Sequence, residues 1–319
     1  MRSNLDLLVS IIIPCYNSEL FIIECLESCQ IQTYSQIEII VIDDGSTDKS
    51  IEIVNQFIAS NSDLNCRLFS KDNNGASSAR NTGIKESNGT FIQFLDADDL
   101  LFKDKIQSQV DLINENKTCQ LIVGSYETVN LKSSKTRKRN YSDNSDSLWM
   151  GLYRSDLGNT CSNLFNASLF KEKGLSWDEN LPSSQEYNLM FDILKITQQI
   201  IFDPQINTRI IRRDNNSISA NEQNNLARRF DLRVRIKEYL LVNEVLTFTN
   251  NQNEIDQHLF GLIRQTAKFN LSKANRDLTR HLKKDFFPEN TEVNTRGYVL
   301  AYNILGFRGA ERLKKLMKR

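Results

Sequence analysis

The sequence predicts an α/β fold with a mainly parallel central sheet over residues 1–220 and a helical region over 221–319. Three observations carry that reading. Short β-rich runs alternate with helical patterns through the first 127 residues, and parallel neighbours need such crossover connections. Two of the strands end in clusters of aspartate, the side of such sheets where ligands bind. From about residue 221 onward the pattern turns helical, and glycine and proline become scarce.

In order along the chain, LLVSIII (7–13) reads as a buried strand, and 19–30 as the first helix. IEIIVI (37–42) is the second strand. SIEIVNQFIAS (50–60) is a helix whose apolar residues at 51, 53, 54, 57 and 58 share one face. CRLFS (66–70), FIQFL (91–95) and LIVGSYE (121–127) supply further strands, separated by helices over 76–86 and 103–116. The stretch NLKSSKTRKRNYSDNSDS (130–147) is polar and basic at its centre, which suits a solvated loop or one that covers a substrate. The pattern is irregular between 160 and 220. ARRFDLRVRIKEYLLVNEVL and EIDQHLFGLIRQTAKFNL then open the helical region.

Composition removes several functions. Forty basic residues balance forty acidic ones, so no global field points to nucleic acid. The six cysteines form no C-x-x-C pair and lie mostly in apolar stretches, as reduced thiols packed as small hydrophobes do in a cytoplasmic protein. No window reaches the roughly 18 uninterrupted apolar residues of a transmembrane helix. A cytoplasmic protein is expected, with peripheral membrane contact left open. There is no G-x-G and no G-x-x-x-x-G-K-[ST], so the dinucleotide and P-loop fingerprints are both missing. His258 and His281 are the only histidines and fall in the helical region, which argues against histidine triads and His-rich zinc sites. Acid–base work is left to carboxylates.

The strand ends are unusual. The first carries PCYN (14–17), the second DDGSTD (43–48) and the fourth DADD (96–99). Taken singly, DDGSTD is an Asp-Gly turn with Ser46 or Thr47 capping the next helix, and DADD a turn whose acids favour a helix N-terminus. Taken together they place five or six carboxylates at one rim. Oxygen donors in that density suit Mg²⁺ or Mn²⁺, which bind one or two carboxylates plus ligand phosphates.

The blocks VSIIIPCYN, QTYSQIEIIVIDDGSTDKS, NNGASSARNTGI, NGTFIQFLDADD and GLSWDENLPSSQEYNLMFDIL, in this order and spacing, resemble the family 2 glycosyltransferases over roughly residues 8–220. These are inverting enzymes of the GT-A fold. The resemblance implies a sugar transferred from a nucleotide sugar, usually a UDP-sugar, to a hydroxyl of a glycan or lipid-linked acceptor. It implies that Pro14 and Tyr16 line the base pocket, that Asp44 hydrogen-bonds the base, and that Arg80 approaches the base or phosphates. It implies an Asp-x-Asp motif at Asp96, Ala97 and Asp98, with Asp98 the metal ligand for Mn²⁺ or Mg²⁺. The family's catalytic base is an acid opening a helix after a WDENL-like segment, which here is Glu186.

Other readings of these residues stand beside the resemblance. Ser183-x-x-Glu186 is also a capping box, Arg80 is also an ordinary helix-surface arginine, and Asp99 faces either the acceptor or the next helix. The chain departs from the family at Gln185-Glu186, where Glu-Asp is usual, and at Asp214, where a histidine is usual. Those departures keep a non-catalytic sugar-nucleotide or glycan-binding module as the rival reading. The C-terminal GFRGAERLKKLMKR is basic and amphipathic, which suits either a membrane surface or a helix packed on its own domain.

Overall fold

The computed structural model describes residues 7–141, 147–213, 222–291 and 294–317. The chain divides into two compact units, Met1–Ser217 and Ile218–Arg319.

The first unit is a mixed sheet flanked by helices. It opens with β1 (Val9–Cys15), α1 (Ile22–Gln30), β2 (Ile37–Asp43), α2 (Ser50–Ser60), β3 (Cys66–Ser70), α3 (Ala76–Glu86) and β4 (Phe91–Phe94). Next come β5 (Leu100–Leu101), α4 (Lys105–Glu115), β6 (Leu121–Asn130), β7 (Lys135–Arg139), α5 (Leu148–Arg154), β8 (Leu164–Asn166), α6 (Ser168–Lys171), α7 (Gln185–Ile196) and β9 (Ile200–Arg212). The strand order is β3-β2-β1-β4-β8-β6-β9-β5, with β7 paired to β6. The β3-β2-β1-β4 half is parallel, in register Ile13 with Val41 and Val9 with Phe91. β8 runs antiparallel to both β4 and β6, and β9 lies parallel to β6.

The alternation of strands and helices therefore produces the parallel half, while the irregular 160–220 segment supplies β8, α7 and β9. β1 and β2 are buried almost throughout because helices cover both faces of the parallel half. The basic 130–139 stretch is a β-hairpin arm rather than a loop, with Tyr126 paired to Arg139 and Asn130 to Lys135. All six cysteines are buried free thiols.

The far end of the parallel strands is tied by Glu38 of β2. It accepts from Ser10 Oγ at 2.6 Å, from the Asn88 amide at 2.6 Å and from Arg67 at 2.8 Å. Burial alone would raise its carboxyl, but the Ser10 and Asn88 donors outweigh that and hold it below the usual carboxylate range.

The second unit comprises α8 (Glu222–Asn243), α9 (Val245–Phe269), α10 (Leu271–His281) and α11 (Arg296–Met317). Phe260 is fully buried and packs against the rings of Phe286, Tyr302 and Phe307. Arg264 pairs with Glu311 at 2.9 Å and stacks on Tyr298, fastening α9 to α11. Gly306 breaks α11 with φ 65° and ψ 179°, a conformation that favours glycine. No helix among the described residues is long and apolar enough to cross a membrane.

α3 is seated so closely on β1 that a methyl at Gly83 would drive into Cγ2 of Ile12. Ile12 is fully buried and β-branched, so it cannot swing away. Gly83→Ala is expected to cost about 1–3 kcal/mol, read as a lower urea midpoint with the slope unchanged.

Candidate functional site

The site lies at the carboxyl ends of β1, β2 and β4. Its first wall joins the β1 and β2 loops. Asn17, at φ 47°, accepts the Thr47 amide at 2.8 Å and donates its own amide to Ser46 Oγ at 3.0 Å. Ser46 therefore bridges loops instead of capping α2, whose N-cap is Lys49 without a side-chain bond. Asp43 takes the Gly45 and Ser46 amides, which shapes the turn.

Asp44 is buried at the same rim. It accepts from Lys71 Nζ at 2.7 Å, the Asn74 amide at 3.1 Å and the Gly75 amide at 2.7 Å. It thus anchors the 71–75 loop that leads into α3, and retains lone-pair capacity toward a base. Tyr16 stands 52% exposed beside it, and Pro14 is partly buried.

The second wall is the aspartate loop after β4. Asp96 and Asp98 are partly exposed, while Ala97 between them is packed into the core. Arg80 reaches from α3 and pairs with Asp96 at 2.6 Å through Nη2, while Nη1 donates to Gln185 Oε1 at 3.1 Å. Its guanidinium lies 4.7 Å from the Trp177 ring centroid. Arg80 is only 6% exposed, so the helix-surface reading is corrected: it is a buried cation held by a carboxylate, an amide and an indole face. Trp177 in turn packs edge-on against Phe94 of β4 at 5.1 Å.

Asp99 turns inward, and accepts the Ile211 amide of β9 at 2.8 Å. The bond it makes is to β9 and not to the helix that follows the loop. Burial first, and then the charges of Asp96 and Asp98, push its carboxyl well above the usual range.

Glu186 is the second residue of α7. The N-cap is Ser184, left-handed at φ 61° and without a side-chain cap bond, so the predicted capping box is not formed. The carboxyl is partly buried beside a small cavity lined by Asn159, Asn163, Trp177 and Tyr187. Burial raises its pKa; the charges acting on it include Arg80 and Arg212, which lower it, and Asp96, which raises it. One arginine therefore links the aspartate loop to this acid. Sequence reasoning found Arg80, Asp96 and Glu186 but not Trp177 or Gln185, because their roles arise only when α3 and α7 meet. Asp214 lies outside the described residues.

Among the described residues one cluster and one further carboxylate bear on a divalent cation. Asp96, Asp99 and Cys161 bring ligand atoms within 4.8 Å of one another. Cys161 is buried and its thiol is pushed well above its usual range, first by burial and then by Asp96 and Asp99, so it offers a neutral soft sulfur. That set is a poor fit for a hard cation. Asp98 fits better. Its side chain is 43% exposed, and burial and Asp96 raise its pKa, an unfavourable charge that a cation would relieve.

Residues 10–174 match the model of glycosyl transferase family 2, and the chain belongs to that family. An uncharacterized glycosyltransferase of Rickettsia felis is 37% identical over 212 residues, 62% of this chain and 33% of the relative, so the chain spans about a third of that relative's length. Among solved structures, Staphylococcus aureus TarS 1–349 in complex with UDP-GlcNAc aligns at TM-score 0.61 and 19% identity, covering 87% of this chain and 77% of that one. The mannosyltransferase PcManGT of Pyrobaculum calidifontis, in complex with GDP-Man and Mn²⁺, aligns at 0.54 and 16%, covering 98% and 87%. These likenesses carry the fold, GT-A.

The Arg80–Asp96 pair is lopsided, the cation buried and the carboxylate 39% exposed. Asp96→Asn strands a buried charge and is expected to cost about 3 kcal/mol, whereas Arg80→Met leaves a carboxylate that water reaches and costs about 1–2 kcal/mol. Paired urea melts of the two variants check the order.

Proposed function

We propose that this protein is an inverting glycosyltransferase that moves a sugar from a nucleotide sugar, UDP-linked first, to a hydroxyl of a glycan or lipid-linked acceptor. The observation that carries the reading is one buried arginine, Arg80, that bonds both Asp96 and Gln185, the residue before Glu186 at the start of α7. The UDP-GlcNAc bound by TarS supports the choice of donor.

In this mechanism Pro14 and Tyr16 line the base, and Asp44 accepts a base hydrogen bond with its remaining lone pair. Asp96, fixed by Arg80, accepts from a donor hydroxyl. Asp98 would hold a divalent cation, which supplies neutralisation of the departing diphosphate. Glu186 takes the acceptor hydroxyl proton as its oxygen attacks the anomeric carbon. The bond from that carbon to the diphosphate oxygen breaks on the opposite face, and a single displacement inverts configuration. Burial raises the Glu186 pKa, and a backbone hydrogen bond at Glu186 and then the charge of Arg80 oppose that rise. A cytoplasmic place at the inner face of the membrane, in surface polysaccharide assembly, is the cellular reading.

The kinked end of α11 supports the membrane part. Leu313, Leu316 and Met317 are exposed at i, i+3 and i+4, with Arg308, Arg312 and Lys315 exposed around them. The full chain is expected to co-sediment with anionic vesicles, and Leu316→Glu to remain in the supernatant; equal pelleting of both removes this contact.

The test of the reaction is nucleoside diphosphate release from a panel of nucleotide sugars, with and without chelator. Glu186→Gln is expected to lower turnover by about 10³-fold or more with UDP affinity unchanged. Unaltered turnover would return the base role to another residue.

The raised Glu186 pKa sets the sign of the pH profile. The base must be ionised, so kcat/KM falls as pH drops through a value raised from that of an ordinary glutamate. The same shift destabilises the fold once pH rises through it, because the folded state holds that proton more tightly. A rate–pH series whose acidic limb falls at an ordinary glutamate value contradicts this assignment.

A further inference from the structure

Arg213 is the cation that stands on Asp98. Its Nη1 donates to the Asp98 carbonyl oxygen at 2.7 Å and lies 3.3 Å from Asp98 Oδ2. The guanidinium rests 4.1 Å from the ring centroid of Phe21, in the segment that leads into α1. The base of the arrangement is rigid. β9 pairs with β5, Leu100 opposite Arg209, and the Ile211 amide is held by Asp99. Two residues beyond Ile211 the chain has little choice about where Arg213 emerges.

The other two acids of the loop have different partners, Arg80 for Asp96 and the Ile211 amide for Asp99. Among the described residues Asp98 has Arg213 as its ion-pair partner. The pair is half open to water, with the Arg213 side chain 22% exposed and that of Asp98 43%. An arginine never gives up its charge in this setting. It therefore competes for the same carboxylate as a divalent cation at every working pH.

We infer that Arg213 is a built-in counter-ion that occupies Asp98 until the donor diphosphate draws the guanidinium away, so that the divalent cation binds with the nucleotide and poorly without it. The inference rests on the reading of Asp98 as the cation ligand. Guanidinium forks match phosphate oxygens in geometry as well as carboxylates. The charge brought by a diphosphate can thus take Arg213 from Asp98, and the vacated carboxylate would then be free to hold a divalent cation. Nucleotide and metal affinities are coupled by this exchange, and reciprocally so.

Binding of Mn²⁺ to the full chain, followed by loss of the free-ion electron paramagnetic resonance signal, tests this without turnover. Arg213→Met keeps the bulk and the contact with Phe21 but removes the charge. It is expected to bind Mn²⁺ about tenfold more tightly than the wild type in the absence of nucleotide, a change of about 1.4 kcal/mol. UDP should then improve Mn²⁺ binding much less in the variant than in the wild type. Phe21→Leu, which removes only the stacking platform, should move in the same direction by a smaller factor, and serves if Arg213→Met fails to fold. Equal Mn²⁺ affinities in the wild type and variants, with and without UDP, overturn the counter-ion role. If Asp98→Asn still abolishes binding in that case, the metal reading stands. Mn²⁺ binding that is absent throughout, or indifferent to Asp98→Asn, overturns both.

Discussion

Three carboxylates within four residues are tolerable at this rim because each has its own partner. Asp96 has Arg80, Asp98 has Arg213 and Asp99 has the Ile211 amide. The partners hold the acids in place without removing the strain among them: burial, and then the charges of Asp96 and Asp98, still push the Asp99 carboxyl well above the usual range. The partners arrive on two elements: Arg80 on α3, and the Ile211 amide and Arg213 at the end of β9. The loop can hold its acids in place only when those elements are docked, so the fold of the first unit and the electrostatics of the site are one constraint.

That constraint explains the packing around it. α3 must lie close enough to β1 to bring Arg80 inward, and Gly83 against Ile12 permits the approach. The buried guanidinium needs an apolar floor, which Trp177 provides while Phe94 supports Trp177 from the strand. Gln185 contributes a neutral acceptor where an acid would compete with Asp96 for Arg80. At the opposite end of the strands Glu38 plays the complementary part, since its donors from β1, β3 and the turn before β4 converge on one buried carboxylate of β2.

Much of the fold was legible in the sequence. The strand and helix runs at 37–43, 50–60, 66–70 and 76–86 follow directly from apolar period and turn residues. β8 and β9 were not legible, because β8 is three residues long and β9 interleaves polar residues along 13. The 130–139 hairpin was hidden by its composition. A strand of lysines and arginines at a sheet edge carries no hydrophobic period to detect.

By itself the sequence determined the α/β class, the carboxylate-rich strand ends and the identity of the acids, since those depend on local period and on residue type. Tertiary structure decided what each acid faces. Glu186 sat in a capping-box pattern that the left-handed Ser184 prevents, and Ser46, a good local cap, bonds across to Asn17. Arg80 could have been a surface residue until Trp177 and Gln185 closed over it. Side-chain direction and burial are set by segments far apart in the chain, and no local rule carries that information. For the aspartates after β4 the difference is decisive: the sequence supplied three acids, and only the docked helix and strand gave Asp96 and Asp98 their arginines and Asp99 its backbone amide.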